Sequence, residues 1–137
     1  MVESSNRIIR FVADDSTELA PTSAAEYKRK SGEIVVRERY RNNIPVLYHE
    51  IGHALLDDVQ PLAWIVAFED DPQAWRQFLT TPVARSYQTR HQITDEWRNK
   101  PIAYDWIEAG ADLYMLDRLG RLYNVPLVAA ILHRLIA

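Results

Sequence analysis

The chain has 137 residues, of which 47% are hydrophobic and 26% are charged, as is typical of one globular domain. It contains no cysteine, which excludes disulfides, thiolate metal sites and cysteine nucleophiles, so any metal would be held by nitrogen or oxygen ligands. A net charge of −3 and the lack of a nucleic-acid-binding motif indicate that nucleic acid is not a partner.

No run of about 18 apolar residues occurs, so we expect no membrane-spanning helix and no membrane partner. Residues 1–7 lack a charged lead into an apolar stretch and do not resemble a secretory signal peptide. We therefore expect a cytoplasmic protein, with export by a specialised secretion system left open. The sequence leaves the oligomeric state open as well.

The first 43 residues favour β structure. Residues 7–13 form a short β-branched run that predicts a strand, and Ser31-Gly32 predicts a turn before a second strand over residues 32–40. One face of this second strand carries Arg37 and Arg39, which predicts an exposed or edge strand. The two arginines belong to a basic patch that we expect to be a solvated face and that also contains Lys28, Arg29, Lys30 and Arg41. If a peptide pairs with the strand, these charges would instead favour acidic residues in that peptide.

After Asn43 the apolar residues recur with a helical period. The pattern predicts five helices, over residues 44–57, 61–68, 72–79, 102–119 and from 126 onward. Asn43 and Asp71 are the predicted N-caps, Gly120 is the predicted left-handed C-cap, and Asn124 and then Pro126 open the last helix. Residues 80–100 are polar and are predicted to be irregular. A small sheet followed by helices indicates an α+β fold.

The segment His49-Glu50-Ile51-Gly52-His53 carries the strongest functional signal. On a helix, residues i and i+4 lie one turn apart on the same face, so both imidazoles can reach one metal ion. Glu50 is rotated about 100° from His49, which suits a base acting on water at the metal better than a ligand. Gly52 costs about 1 kcal/mol in a helix interior, which indicates close packing or space for a ligand.

A zinc site of this kind needs a third protein ligand and an open position for water. The downstream residues that could supply it are His91, Asp105, Glu108, Asp112 and His133. Glu108 and Asp112 lie one turn apart in an apolar, small-residue stretch, where two carboxylates would be costly to bury without a partner. We expect a metal ion to satisfy Glu108, and Asp112 to accept a hydrogen bond from a ligating histidine. His91 and His133 are expected at the surface.

These motifs resemble the zincin metalloproteases of the gluzincin type, and most closely the family of the anthrax lethal factor catalytic domain. The resemblance runs from about Gly32 to the C-terminus and rests on residues 49–58 and on Glu108 with Asp112. It implies a single zincin-like domain over residues 1–137 that hydrolyses peptide bonds in a protein or peptide substrate. It also implies one Zn²⁺ per chain, held by His49, His53 and Glu108, with Glu50 as the general base.

In that family a strand before the motif helix aligns the substrate, as residues 32–40 would here, and a loop tyrosine stabilises the oxyanion. Ser86-Tyr87-Gln88-Thr89-Arg90 is the matching context, which makes Tyr87 the implied donor. The stretch between His53 and Glu108 is longer here, with the extra length after Tyr87, so Tyr104 is the alternative donor.

Two other functions fit the same motif. The chain could be a zinc-binding interaction module whose site is too closed for catalysis, since 137 residues leave little material for a deep cleft. It could also be a small intracellular regulatory metalloprotease that cuts repressor-type proteins, because those enzymes likewise carry the two-histidine motif after a strand.

Overall fold

The computed structural model describes residues 8–91 and 103–137, except for the side chains of 87–91 and 103–105. Three strands, β1 (Ile8–Val12), β2 (Ala25–Lys28) and β3 (Glu33–Arg37), come first in the described chain. The helices that follow are α1 (Ile44–Leu55), α2 (Pro61–Asp70), α3 (Pro72–Phe78), α4 (Pro82–His91), α5 (Ala103–Arg118) and α6 (Pro126–Ile136). The predicted α+β class is confirmed. None of the described helices is both long and apolar enough to cross a membrane.

The sheet has the strand order β1-β3-β2, so β3 is its central strand. β1 pairs with β3 in parallel, from Ile8 opposite Glu33, and β2 pairs with it antiparallel, from Ala25 opposite Val36. The three central residues of β3, Ile34 to Val36, have no solvent exposure. The prediction that residues 32–40 form an exposed or edge strand is therefore wrong. The strand ends at Arg37, and a short 3-10 turn over Glu38–Tyr40 follows it.

Arg37 explains why the charge pattern of β3 was misleading. Its side chain is 3% exposed, and its guanidinium donates hydrogen bonds to main-chain carbonyls of the loop between β1 and β2. The acceptors are the carbonyl oxygens of Ser23 (2.8 Å), Asp14 (2.6 Å), Ser16 (3.1 Å) and Ala20 (3.0 Å). A buried charge is tolerated where its donors are satisfied, so this arginine ties the loop to the sheet and does not mark a solvated face.

The helix boundaries follow their capping residues. The Asn43 side chain accepts from the Val46 N–H at 3.1 Å, and the Asp71 side chain accepts from the Ala74 N–H at 3.1 Å, which confirms both predicted N-caps. Gly120 has a φ of 73°, which confirms the predicted left-handed C-cap. α1 ends at Leu55, two residues before the predicted end.

Two helix predictions need correction. Residues 82–91 form α4 and are not irregular, because the Thr81 hydroxyl accepts from the Ala84 N–H at 3.2 Å and Pro82 occupies the first turn. Residues 92–100 lie outside the described residues. Asn124 does not cap α6; instead the Gln77 side chain, on α3, accepts from the Leu127 N–H at 2.9 Å.

The core has two parts, one between the helices and one under the sheet. The helical part contains an aromatic cluster of Trp64, Phe68, Trp75, Phe78 and Trp106, whose ring centroids lie 5.2–6.5 Å apart. The smaller part joins α1 to the sheet through buried residues of both. α1 therefore lies between the sheet and α5, and its position determines where the motif histidines point.

Gly52 allows α1 and α5 to approach closely. A Cβ atom on Gly52 would lie 3.0 Å from the Cβ of Tyr114 and 3.1 Å from the Cα and O of Ala111. Of the two interpretations that the sequence allowed, the structure therefore supports close packing. The short distance between these helices brings the motif histidines within reach of Glu108.

We expect the substitution Gly52→Ala to destabilise the protein. The added methyl group meets backbone that cannot move aside, a cost of about 1–3 kcal/mol, which outweighs the gain of about 1 kcal/mol in helix propensity. Urea unfolding of the metal-free protein measures the net loss. Gln73→Ala, at an exposed helical position, is the control and should stay within about 0.5 kcal/mol of the wild type. A more stable Gly52→Ala variant would contradict the close packing.

Candidate metal centre

Three side chains from two helices converge on one point. His49 and His53 lie one turn apart on α1, and their Nε2 atoms are 3.1 Å from each other. The carboxylate of Glu108, on α5, reaches both of them, with 3.2 Å from Oε1 to Nε2 of His49 and 2.9 Å from Oε2 to Nε2 of His53. The structure thus brings together the three residues predicted to hold the metal.

The spacing of these atoms fits a zinc ion. Zinc binds histidine nitrogen and carboxylate oxygen at about 2.0–2.2 Å in tetrahedral geometry, so its ligand atoms lie about 3.3 Å apart. The two Nε2 atoms are 3.1 Å apart, slightly less than this, and each Glu108 oxygen lies 2.9–3.2 Å from a different imidazole. The two imidazole nitrogens and one carboxylate oxygen of Glu108 could therefore supply three ligands of one zinc ion.

Asp112 fixes the orientation of His49. Its Oδ1 lies 2.7 Å from Nδ1 of His49, at the opposite side of the ring from the metal-facing nitrogen. The ring therefore donates its Nδ1–H to this carboxylate, so Nε2 is the nitrogen that would bind a metal once its own proton is displaced. This is the placement expected for Asp112 from the sequence.

Glu50 lies beside the same site, but its carboxylate is hydrogen-bonded to the main chain of β2. A carboxylate oxygen of Glu50 and one nitrogen from each histidine all lie within 4.8 Å of one another, so Glu50 is a second possible source of the third ligand. We favour Glu108, because its oxygens are the closer ones and span both imidazoles. The Glu50 side chain accepts a hydrogen bond from the main-chain N–H of Tyr27, and burial raises its pKa.

Tyr27 and strand β2 are the parts of the site that sequence reasoning missed. The Arg37 N–H donates to the Ala24 carbonyl at 3.0 Å, so these two residues form a hydrogen-bonded pair of the antiparallel ladder. Hydrogen-bonded and non-hydrogen-bonded pairs alternate along such a ladder, so the N–H of Tyr27, three residues after Ala24, points away from β3. β2, and not β3, is the edge strand next to Glu50. The turn predicted at Ser31-Gly32 could have indicated a strand before it that pairs with β3 in a hairpin. Ala25–Lys28 contains no β-branched residue, so its composition did not indicate that strand.

When no metal is bound, the histidines and carboxylates of the site shift one another's pKa values. Burial lowers the pKa of His49, but its hydrogen bonds to Asp112 and Glu108 outweigh burial and raise the pKa from 6.5 to about 10. For Glu108, burial raises the pKa, and the hydrogen bonds from His49 and His53 outweigh it and lower the pKa to about 2. When no metal is bound, the site at neutral pH therefore contains an imidazolium among carboxylates.

This predicts that zinc uptake releases a proton. Since the His49 pKa is raised, the metal must displace a proton at any pH below about 10, and the apparent zinc affinity should rise about tenfold per pH unit between pH 7 and 8.5. Calorimetry in buffers of different ionisation enthalpy counts the released protons. Asp112→Asn should release fewer, because it removes one group that raises the His49 pKa. Uptake at pH 7 with no proton release would contradict this account of His49.

A pocket of about 540 Å³ opens from the site. Glu50, His53 and Glu108 line one end of it, and Tyr27 of β2 lines one side. The side chains of Glu50, His53 and Glu108 are therefore accessible to a molecule larger than water, as a catalytic site would require.

The other candidate residues lie elsewhere or outside the described side chains. His133 is exposed and contacts Asp117, with 3.0 Å between Nε2 and Oδ2, which confirms its predicted surface position. Tyr87 lies within helix α4 and not in a loop, so that part of its prediction is wrong. Tyr104 lies in α5, one turn before Glu108. The side chains of both tyrosines and of His91 and Asp105 lie outside the described atoms, so the oxyanion donor stays a prediction.

No protein-family model matches this chain, and no curated protein sequence or solved structure shows significant similarity to it. Its resemblance to the gluzincins therefore rests on His49, Glu50, His53, Glu108 and Asp112.

Proposed function

We propose that this chain is a zinc-dependent endopeptidase of the gluzincin type with a zincin-like fold. The observation that carries the proposal is the convergence of His49, His53 and Glu108, from two separate helices, to within 3.2 Å of one another. Asp112 supports it because it orients His49 as outer carboxylates orient zinc-binding histidines. One zinc ion per chain is expected.

The residues around the site suit hydrolysis of a peptide bond. Zinc bound there would lower the pKa of a coordinated water to about 7 and polarise the scissile carbonyl. Glu50 takes a proton from the attacking water as its oxygen adds to the carbonyl carbon. It then delivers that proton to the nitrogen that leaves when the C–N bond breaks. Burial, which raises the pKa of Glu50, makes the carboxylate a better proton acceptor. Tyr87 or Tyr104 would donate to the oxyanion.

One observation favours an alternative to the endopeptidase, namely a non-catalytic zinc-binding module. A structural zinc site is closed by four protein ligands, and Glu50 lies close enough to both histidines to become the fourth. The N–H of Tyr27 already binds the Glu50 carboxylate, which favours its role as a base held next to the metal. Regulatory cleavage of repressor-type proteins would be the same chemistry with a narrower choice of substrate.

Metal analysis combined with a cleavage assay tests the proposal. Protein purified without added metal should contain about one zinc per chain by elemental analysis. The same preparation should cleave a proteome-derived peptide library, lose that activity with 1,10-phenanthroline and regain it with zinc. Stoichiometric zinc with no cleavage of any peptide would support the closed module. Absence of zinc, or cleavage that survives the chelator, would refute the proposed function.

A further inference from the structure

Glu50 and the two motif histidines leave α1 in different directions. His49 and His53 face α5, where their Nε2 atoms meet the carboxylate of Glu108. Glu50 is rotated about 100° from His49 around the helix. Its carboxylate meets β2 and accepts a hydrogen bond from the main-chain N–H of Tyr27. The two neighbours of α1 therefore separate the proposed base from the proposed ligands.

The Glu50 carboxylate needs a partner at this position. Glu50 is 8% exposed, and an ionised carboxylate that is withdrawn from water is costly unless a donor or a cation compensates it. A metal ion is the competing partner, because a carboxylate oxygen of Glu50 and one nitrogen of each imidazole lie within 4.8 Å of one another. The N–H of Tyr27 and the metal therefore compete for the same carboxylate.

The strand that carries the donor fixes its direction. β2 pairs with β3, and Tyr27 lies opposite Ile34 in a pair that the ladder leaves without mutual hydrogen bonds. The N–H of Tyr27 is thus directed to the outer edge of the sheet, where Glu50 of α1 accepts it. Its contact with Glu50 takes no hydrogen bond away from the sheet.

Two side-chain contacts hold this part of β2 against the end of α1. The Tyr27 hydroxyl lies 3.4 Å from Oδ2 of Asp57, and Nε of Arg29 lies 3.0 Å from Oδ1 of the same carboxylate. Asp57 comes two residues after the end of α1. The strand and the helix are therefore joined at Asp57 as well as at Glu50, which keeps the N–H of Tyr27 close to the carboxylate.

We propose that Tyr27 is a positioning residue whose main-chain N–H keeps the Glu50 carboxylate out of the coordination sphere of the metal. One position on the ion then stays open, as a catalytic zinc site requires. Because the donor is a main-chain group, the role belongs to the strand position, and proline is the one residue type that cannot fill it. This inference rests on the proposed endopeptidase function and names the contact that distinguishes it from the closed module.

Removing only this N–H tests the proposal. Nonsense suppression with p-hydroxyphenyllactic acid at position 27 replaces the N–H by an ester oxygen and keeps the tyrosine side chain. The Co²⁺-loaded protein is titrated with acetohydroxamate, a chelator that needs an open coordination position, and visible absorption follows its binding. Without the donor, Glu50 should coordinate the metal and weaken acetohydroxamate binding at least about tenfold, as expected for the loss of a hydrogen bond to a charged group. Binding equal to that of the wild type would overturn the proposal.

Glu50→Gln in the ester protein is the matching rescue. Amide oxygens are not among the usual protein ligands of zinc, so this second change should restore acetohydroxamate binding to within about twofold of the Glu50→Gln protein. A loss that Glu50→Gln does not reverse would also overturn the proposal, because the N–H would then act through another group. The same ester at Tyr123, which is 84% exposed and does not line the pocket, is the control and should bind acetohydroxamate as the wild type does.

Two ordinary substitutions repeat the test if the ester protein does not fold. Tyr27→Pro and Tyr27→Ala both lack the tyrosine side chain, but only the alanine variant keeps the N–H. An edge strand tolerates proline where the N–H points away from the neighbouring strand, as it does here. Tyr27→Pro should therefore bind acetohydroxamate at least about tenfold more weakly than Tyr27→Ala. Equal binding by these two variants would refute the role of the N–H.

The outcomes separate the role of Tyr27 from the proposed function. A protein that shows the expected pattern of acetohydroxamate binding but cleaves no peptide would refute the endopeptidase and leave the role of Tyr27 standing. A protein that cleaves peptides, and whose ester and proline forms bind acetohydroxamate as tightly as their controls, would refute the role of Tyr27 and leave the endopeptidase standing.

Discussion

Replacing Glu50 by glutamine should reduce peptide cleavage at least about 10²-fold while zinc stays bound. Glutamine keeps the size of the side chain and can still accept the hydrogen bond from the Tyr27 N–H, but it cannot take a proton from water. Because His49, His53 and Glu108 are unchanged, the three proposed ligands remain in place. The loss should therefore appear in kcat, with the zinc content unaltered.

The measurement pairs kcat for a cleaved peptide with zinc content and the unfolding midpoint. Glu69→Gln, at an exposed position on α2, makes the same chemical change away from the site and should leave all three values unchanged. Equal cleavage by the wild type and Glu50→Gln would end the proposed mechanism. Loss of zinc in Glu50→Gln would instead show that Glu50 is a metal ligand, as in a closed module.

Removing Glu108 should produce the largest loss of zinc affinity of any single substitution outside the motif helix. Zinc binding by protein sites contributes about 10–16 kcal/mol, so one ligand of three or four is worth roughly 3–4 kcal/mol, or about 10²- to 10³-fold in Kd. Asp112→Ala should cost less, about 10–100-fold, because Asp112 acts on the metal only through His49.

Competition with a chromophoric zinc chelator measures these affinities at one fixed pH, since protons compete with the metal at His49. His133→Ala is the control, because this histidine lies on α6 and contacts Asp117. It should bind zinc as tightly as the wild type. If Asp112→Ala lost the metal while Glu108→Ala retained it, the assignment to the gluzincin type would lose its main support.

The parts of the site that are local in sequence could be predicted from it. His49 and His53 are one turn apart on any helix, as are Glu108 and Asp112, so each pair needed only the helical period to be placed on one face. The close packing that brings the two helices together also had a local signal, because Gly52 in a helix interior is costly without such a contact.

The errors came from contacts that are distant in sequence. Strand order decides which strand is the edge, and it depends on the pairing of β1 and β2 with β3, which no local pattern in residues 32–40 reveals. Arg37 was interpreted as a solvated charge because its carbonyl acceptors lie 14 to 23 residues earlier in the chain. One further error was local: the α4 region was interpreted as irregular from its polarity, although Thr81 and Pro82 form a helix start that the sequence itself contains.

The contact between Arg37 and the loop over residues 13–24 has a consequence for sequence divergence. Its acceptors are carbonyl oxygens, which every amino acid carries, so this contact survives almost any exchange of the side chains in the loop. Position 37 has no such tolerance, because the single ammonium group of lysine cannot reach acceptors spread around a planar guanidinium. The sequence of the loop before β2 can therefore diverge widely among homologous proteins. Arg37 must be kept, because its side chain holds this loop, the edge strand β2 and the pocket wall that β2 forms in place.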